Sequence, residues 1–228
     1  MCRRCMMAFT ILMILFVGCT TEENGAEPNS LPFSDGFEAY PVGDYPSARG
    51  WYILWDGTGD GDTYVVDDAA NSGENSFLLS GYPNWMRTDG VTFDMTGVNG
   101  LTYEVAVMIP TGSATGSYVG FFDRVSSNES RMYNAVFFMS GDSAIYAHGI
   151  TSTNTGMTWV YDTWYSVKVE IDYDALKMEV WIDDQQVASD VDAASTDISH
   201  TFCISTQWAP ISGVSTSYFD DVEVYETP

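Results

Sequence analysis

The stretch Trp164-Tyr165-Ser166-Val167-Lys168-Val169-Glu170-Ile171-Asp172-Tyr173-Asp174-Ala175-Leu176-Lys177-Met178-Glu179-Val180-Trp181-Ile182-Asp183-Asp184-Gln185-Gln186-Val187 decides the fold of this chain. Tyr165, Val167, Val169 and Ile171 fall on one side, with Ser166, Lys168, Glu170 and Asp172 on the other. That is the period of two expected of a half-buried strand. Tyr173-Asp174-Ala175 supplies turn residues, and Met178, Val180 and Ile182 continue the apolar face. Asp183-Asp184 then turns the chain again into Gln185-Gln186-Val187. Successive hairpins of this kind build antiparallel sheets.

The same pattern extends outward. Leu101, Tyr103, Val105, Val107 and Ile109 alternate cleanly. Tyr64-Val65-Val66, Phe77-Leu78-Leu79, Val91-Thr92-Phe93, Tyr118 to Phe122 and Met132 to Met139 are further apolar runs, and Ser140-Gly141-Asp142 should turn the last into a strand from Ala144 to Ala147. No segment shows a sustained 3.6-residue period. The expected class is therefore all-β, a two-sheet antiparallel β-sandwich, and 228 residues suit one such domain.

The formal charge of −24, from 8 Lys and Arg against 32 Asp and Glu, excludes general affinity for nucleic acid and for anionic lipid surfaces. Most of these acids, such as Asp56, Asp60, Asp62, Asp67 and Asp68, read as solvating turns.

Residues 1–18 have the shape of an export signal, with Arg3-Arg4 followed by an apolar run from Met6 to Val17 that is too short for a membrane span. The closing Phe16-Val17-Gly18-Cys19 resembles the lipobox of bacterial lipoproteins, although Phe16 replaces the usual leucine. The resemblance implies lipidation at Cys19, a membrane contact through that anchor only, and a place at the cell envelope (outer membrane or cell surface). Residues 19–31 then form a flexible tether, and 32–228 the sandwich domain. Cys2 and Cys5 would leave with the signal, so Cys203 has no partner for an internal disulfide and reads as a buried small hydrophobe.

Trp164 to Asp172 followed by Val180-Trp181-Ile182-Asp183-Asp184 resembles the paired strands of laminin-G-like, concanavalin-A-like jelly rolls. The opening Phe37-Glu38-Ala39-Tyr40-Pro41-Val42-Gly43 with Trp51, the segment Ser72 to Leu79, and the closing Phe219-Asp220-Asp221-Val222 are similar to exported carbohydrate-binding modules of that fold. This implies a jelly roll with a glycan or polysaccharide as partner, or a lyase or hydrolase on the same scaffold. An adhesion or structural surface module is the third expectation.

Three sets of site residues follow. Asp35 and Glu38 near the start, with Asp220 and Asp221 near the end, could share a structural Ca²⁺ if the two ends pair as strands, as the resembled modules do. Asp221 is the expected side-chain ligand, because strict alternation sets Asp220 on the face of Val222. Trp51, Trp55 and Trp85 are candidate rings for stacking on sugars, with Asn84 and Arg87 bonding hydroxyls. Glu170-Ile171-Asp172-Tyr173-Asp174 resembles the acidic signature of family-16 glycoside hydrolases, making Glu170 and Asp172 weak catalytic candidates. The string runs straight into a hairpin turn instead of crossing mid-sheet, and the third acid is Asp in place of Glu.

Overall fold

The computed structural model describes residues 27–55, 63–81, 86–126, 129–198, 200–207 and 213–227. The strands are β1 (Phe33–Asp35), β2 (Tyr52–Trp55), β3 (Thr63–Val66), β4 (Ser76–Gly81), β5 (Thr88–Thr92), β6 (Gly100–Met108), β7 (Ser117–Ser126), β8 (Glu129–Phe138), β9 (Ala144–His148), β10 (Ser152–Thr158), β11 (Trp164–Asp172), β12 (Lys177–Ile182), β13 (Gln185–Asp192), β14 (Thr201–Thr206) and β15 (Ser215–Glu226). They form two antiparallel sheets. One runs β13-β12-β11-β6-β15-β4-β3 with β1 added beside β15, and the other runs β10-β9-β8-β7-β14-β5-β2. The all-β, two-sheet jelly-roll-like sandwich read from the sequence is what forms. Among the described residues, no helix is long and apolar enough to cross a membrane.

The interior lies between the sheets. Val167, Val169 and Ile171 of β11 and Val180 and Ile182 of β12 meet Phe121, Val136, Phe138, Phe202 and Ile204 from the opposite sheet. Both expected hairpins form. In the second, Asp183 and Asp184 occupy a two-residue loop at φ 50° and 62°. Two positive φ values give a turn whose twist matches the strands it joins, and Asp is one of the few side chains that tolerates them. The Asp183 carboxylate accepts the Ser166 N–H at 2.9 Å, which ties the turn to β11.

The two ends of the domain do pair. β1 lies antiparallel to β15, with Phe33 opposite Val224 and Asp35 opposite Val222. Strict alternation along β15 fails, however. Between Asp220 and Glu223 the register against β6 slips by one residue, and Asp221 sits at φ 47°. This is a β-bulge. It resets the parity, so that Phe219, Val222 and Val224 all face the interior. Asp220 is then the fully buried acid and Asp221 the partly exposed one.

Replacing Asp184 by Gly should raise stability by about 0.5 kcal/mol, because Gly accepts positive φ without steric cost. Asp184→Val should lower it by about 1–2 kcal/mol, the cost of a branched residue in the left-handed region. Urea unfolding of the two variants checks both signs.

Candidate functional site

The acids at the paired ends come first. Asp35 is 5% exposed and accepts hydrogen bonds from Phe37 N at 3.0 Å, Tyr40 Oη at 2.9 Å and Trp51 Nε1 at 3.0 Å. Burial, followed by the Asp35 charge, pushes the Tyr40 hydroxyl pKa well above its usual value. Asp35 is thus an internal hub whose lone pairs face donors. Trp51 is core as well, since its ring packs edge-on against Phe33 and Phe77 with centroids 6.3 and 5.6 Å away. It offers no face to a sugar, because both sides of the ring are buried against other rings while its N–H is satisfied by Asp35.

The other acids fasten the loop 71–75. Glu38 accepts the N–H groups of Glu74 and Asn75 at 2.8 and 2.9 Å. Asp220 accepts those of Asn71 and Ser72 at 2.8 and 3.2 Å. Asp221 accepts Asn71 Nδ2 at 2.8 Å and Ser72 Oγ at 2.6 Å. Burial is the main cause that pushes the Asp220 pKa up to about 6, against the pull of these N–H donors. Among the described residues, no three His, Cys, Asp or Glu side chains converge closely enough to hold a metal ion.

The expected sugar contacts are mostly elsewhere engaged. Arg87 is buried, with Nε 2.8 Å from Asp89 Oδ2 and a second guanidinium nitrogen 3.2 Å from Oδ1; Tyr45 Oη donates to the same Oδ1 at 2.7 Å. Drawing Arg87 out to a ligand would strand a buried carboxylate, at about 3–5 kcal/mol. Trp55 ends β2, half-buried, opposite Thr88 of β5. Trp85 and Asn84 lie outside the described residues, as does Cys19.

Glu170, Asp172 and Asp174 do border one space, a cavity of about 720 Å³ also lined by Lys177, Glu179 and Glu226. Glu170 stands directly opposite Glu179 across β11 and β12. Yet Lys168 Nζ is 2.7 Å from Glu170, Gln186 donates to Glu179 at 2.9 Å, and Asp172 accepts the Ala175 N–H of the turn at 2.8 Å. These acids serve the hairpin and its ion pairs, so the string singled out in the sequence is not a free carboxylate pair. Trp181 on this face lies under Lys168, 5.1 Å from ring centroid to Nζ.

The most distinctive surface belongs to the other sheet, on the side away from the interior. Val119, Phe121, Val136, Phe138, Ile145, Ala147, Phe202 and Ile204 point inward. The alternate positions of the same strands therefore point out, and many of them, such as Tyr118, Phe122, Met132, Ala135, Phe137 and Cys203, are apolar too. One row across the strands reads Thr88, Ser205, Tyr118, Phe137, Tyr146, Asn154. Beside it run Gly90, Cys203 and Gly120 on β5, β14 and β7, then Ala135, His148 and Ser152 on β8, β9 and β10. Phe122, Met132, Ala135 and Cys203 form a second buried cluster, with Leu54, Tyr118 and Phe137 partly covering it. Small residues lie lowest in this layer, and the rings stand above them.

Tyr118 and Phe137 have centroids 4.4 Å apart, and Phe137 stacks on His148 at 4.6 Å and 21°. Tyr133 lies 6.5 Å from His148 on a nearly parallel plane. A bulge at Asn134, φ 47°, aligns this part of β8. It is pinned from inside by Tyr103 Oη, which donates to the Asn134 carbonyl at 2.9 Å, and by the Asn134 amide, which bonds both N and O of Ala194. Gly120 is required opposite it, because a Cβ there would come within 2.3 Å of Ala135 Cβ. His148 Nδ1 is 2.6 Å from Ser152 Oγ, and burial holds the ring's pKa below 6.5 while a bond to the Met132 backbone opposes that shift. The imidazole is thus neutral at pH 7 and built into the layer. Burial also pushes the Tyr118 hydroxyl up to about 12.

Sequence reading missed this layer, though a signal existed. In β7, β8 and β14 the apolar residues run on continuously instead of alternating, which means both faces are covered or engaged.

These features define a β-sandwich with one charged outer face and one aromatic outer face. Three solved structures share the fold. A cellulose-induced protein, Cip1, superposes with TM-score 0.57 and 15% identity over 86% of this chain and 97% of its own. The catalytic domain of a glycoside hydrolase family 131 protein from Coprinopsis cinerea gives 0.56 and 14%, over 81% and 87%. A sialidase gives 0.58 and 11% over 79% of this chain, which spans only 17% of the sialidase. No family model matches the sequence, and no curated protein matches it.

Stability should carry the mark of His148. Because the folded ring holds a proton less readily than the unfolded one, the unfolded chain takes up protons first as pH falls through 6.5. The His148 contribution to stability should therefore fall as pH drops below 7.5, while Asp220, lifted to about 6, contributes with the opposite sign in the same window. His148→Gln should remove that part of the slope, read from urea unfolding at each pH.

Proposed function

We propose that this protein binds carbohydrate through the outer face of its seven-stranded sheet, as an exported, lipid-anchored module of the cell envelope. The observation that carries the reading is the half-exposed run of Tyr118, Phe137, Tyr146 and His148. An apolar layer on an outward sheet face marks an interaction site, and flat rings complement the C–H faces of sugars while bordering polar groups bond their hydroxyls. Those polar groups are here: Tyr146 Oη donates to Asp142 at 2.7 Å, and Ser152 and Asn154 stand exposed on β10. The shared fold with carbohydrate-related proteins agrees, although fold alone does not assign function.

Binding without turnover is favoured. Retaining hydrolysis needs two carboxyl groups about 5 Å apart across the scissile bond, and neither cross-strand row of the aromatic layer carries Asp or Glu. Glu170 and Glu179, placed opposite each other beside a cavity, are held by Lys168 and Gln186.

A structural calcium at the paired ends is the second part of the proposal, narrowed to Asp220 and Asp221 with backbone carbonyls. All four acids already accept hydrogen bonds, Asp35 and Asp220 from three donors each and Glu38 and Asp221 from two each, so an ion at Asp220 and Asp221 would have to take the place of the 71–75 loop donors. A buried carboxylate lifted to about 6 beside a second acid is the support, since a cation would relieve both.

A glycan array run beside a polysaccharide-breakdown assay should show binding and no turnover; silence in the array ends the reading. Phe137→Ala should weaken binding at least tenfold while the fold persists by circular dichroism. Calcium should raise the melting temperature over that in excess chelator, an increment that Asp220→Asn removes; equal melting in both discards the ion.

A further inference from the structure

We propose that the ligand of the aromatic face is an uncharged glycan chain, about three sugar units of which lie across strands β7 to β10. This rests on the carbohydrate-binding reading above and adds its charge class, direction and length.

Charge class follows from where the cations are. From residue 27 onward the chain has six, Arg49, Arg87, Arg124, Arg131, Lys168 and Lys177. Lys168 and Lys177 belong to the other sheet, paired with Glu170 and Asp192. Arg49 donates to the Ser34 carbonyl at 2.8 Å, and Arg87 is buried against Asp89. Arg131 lies on β8 in register with Asp123, and Arg124 lies on β7.

Neither row of the aromatic face carries a Lys or Arg, while Asp142 places a carboxylate at its edge through Tyr146. Recognition of a uronate or a sulfate group relies on guanidinium or ammonium donors. A chain bearing −24 would also repel a polyanion at long range. A lyase site, which must neutralise a uronate, is disfavoured for the same reason.

Direction and length follow from exposure. At the β5 and β14 end the rows are closed, with Thr88, Ser205 and Cys203 fully buried. The open part begins at Tyr118 on β7, passes Phe137 and Tyr146, and ends at Asn154 on the edge strand β10. Four strands about 4.8 Å apart span about 14 Å, which matches about three pyranose rings at about 5 Å each. Hydroxyl partners lie at the β9–β10 end, where Tyr146, Ser152 and Asn154 meet, and the rings supply the rest.

Isothermal titration of the protein with neutral glucan, xylan and mannan, and with polygalacturonate and heparin, tests the charge class at 50 and 500 mM salt. Binding of a neutral chain that is indifferent to salt is the expected result. Preference for an anionic chain, weakened by salt, overturns the inference and leaves carbohydrate binding standing; no binding to any chain removes the reading beneath it. With the neutral chain that binds, oligosaccharides of one to six units should gain affinity up to about three and then level off. A plateau at one unit, the mark of a terminal-sugar pocket, overturns the length and direction. Asn154→Ala, at an exposed edge position whose Oδ1 also accepts the Gly156 N–H at 2.7 Å, should cost the three-unit ligand about fivefold while circular dichroism shows the fold kept. An unaltered affinity would overturn the placement across β10.

Discussion

The bulge at Asp220 and Asp221 is the constraint on which the sandwich depends. β15 is bonded to β6 on one side and to β4 and β1 on the other, so any change of its parity is felt across the sheet. Were these residues paired in strict alternation with no bulge, Phe219 and Val222, three positions apart, would point to opposite faces, and one of two fully buried side chains would meet water. With the bulge, both stay inside, and a carboxylate is left at a fully buried position. The loop 71–75 compensates by presenting backbone N–H groups to that carboxylate and to Glu38. Chain ends, bulge and loop therefore form one hydrogen-bonded unit.

The two sheets divide the remaining work by what they present to solvent. The eight-stranded sheet keeps a polar exterior, where Lys168 bridges Glu170 and the Trp181 ring, and Tyr225 donates to Glu104 at 2.6 Å. Such a face solvates the sandwich and leaves few rings available. The seven-stranded sheet instead buries apolar side chains on both sides, so its outer layer is held in place by packing. Phe122 and Met132 close over Gly120, Ala135 and Cys203, and the rings beside them are oriented by their neighbours. A preorganised ring loses little freedom when a ligand arrives.

That division was half legible in the chain. Alternation in Trp164 to Ile182 named both the strands and their inward residues correctly, because a one-sided sheet writes its burial into every second position. The runs Tyr118 to Phe122 and Met132 to Met139 were legible as apolar strands, but their unbroken apolarity, the mark of a sheet covered on both faces, went unread. Aromatic residues near Gly and Asp, such as Trp51, looked like exposed platforms. Trp51 is buried among Phe33, Phe37 and Phe77, and Asp35, sixteen positions earlier, accepts its N–H, a pairing that no local pattern records.

By itself the sequence determined the class: period-two alternation, turn residues at short spacing, and the acidic charge that turns away nucleic acid and polyanions. It also marked both ends as partners through their aromatic and acidic composition. Tertiary structure alone decided what each acid and ring does. Parity along a strand changes at a bulge, as at Asp221 and Asn134, and which residues stand beside each other across strands depends on register. Tyr118, Phe137 and His148 come from three strands and become neighbours only when the sheet assembles. The aromatic layer is a property of that register, which is long-range and leaves only indirect traces in the order of residues.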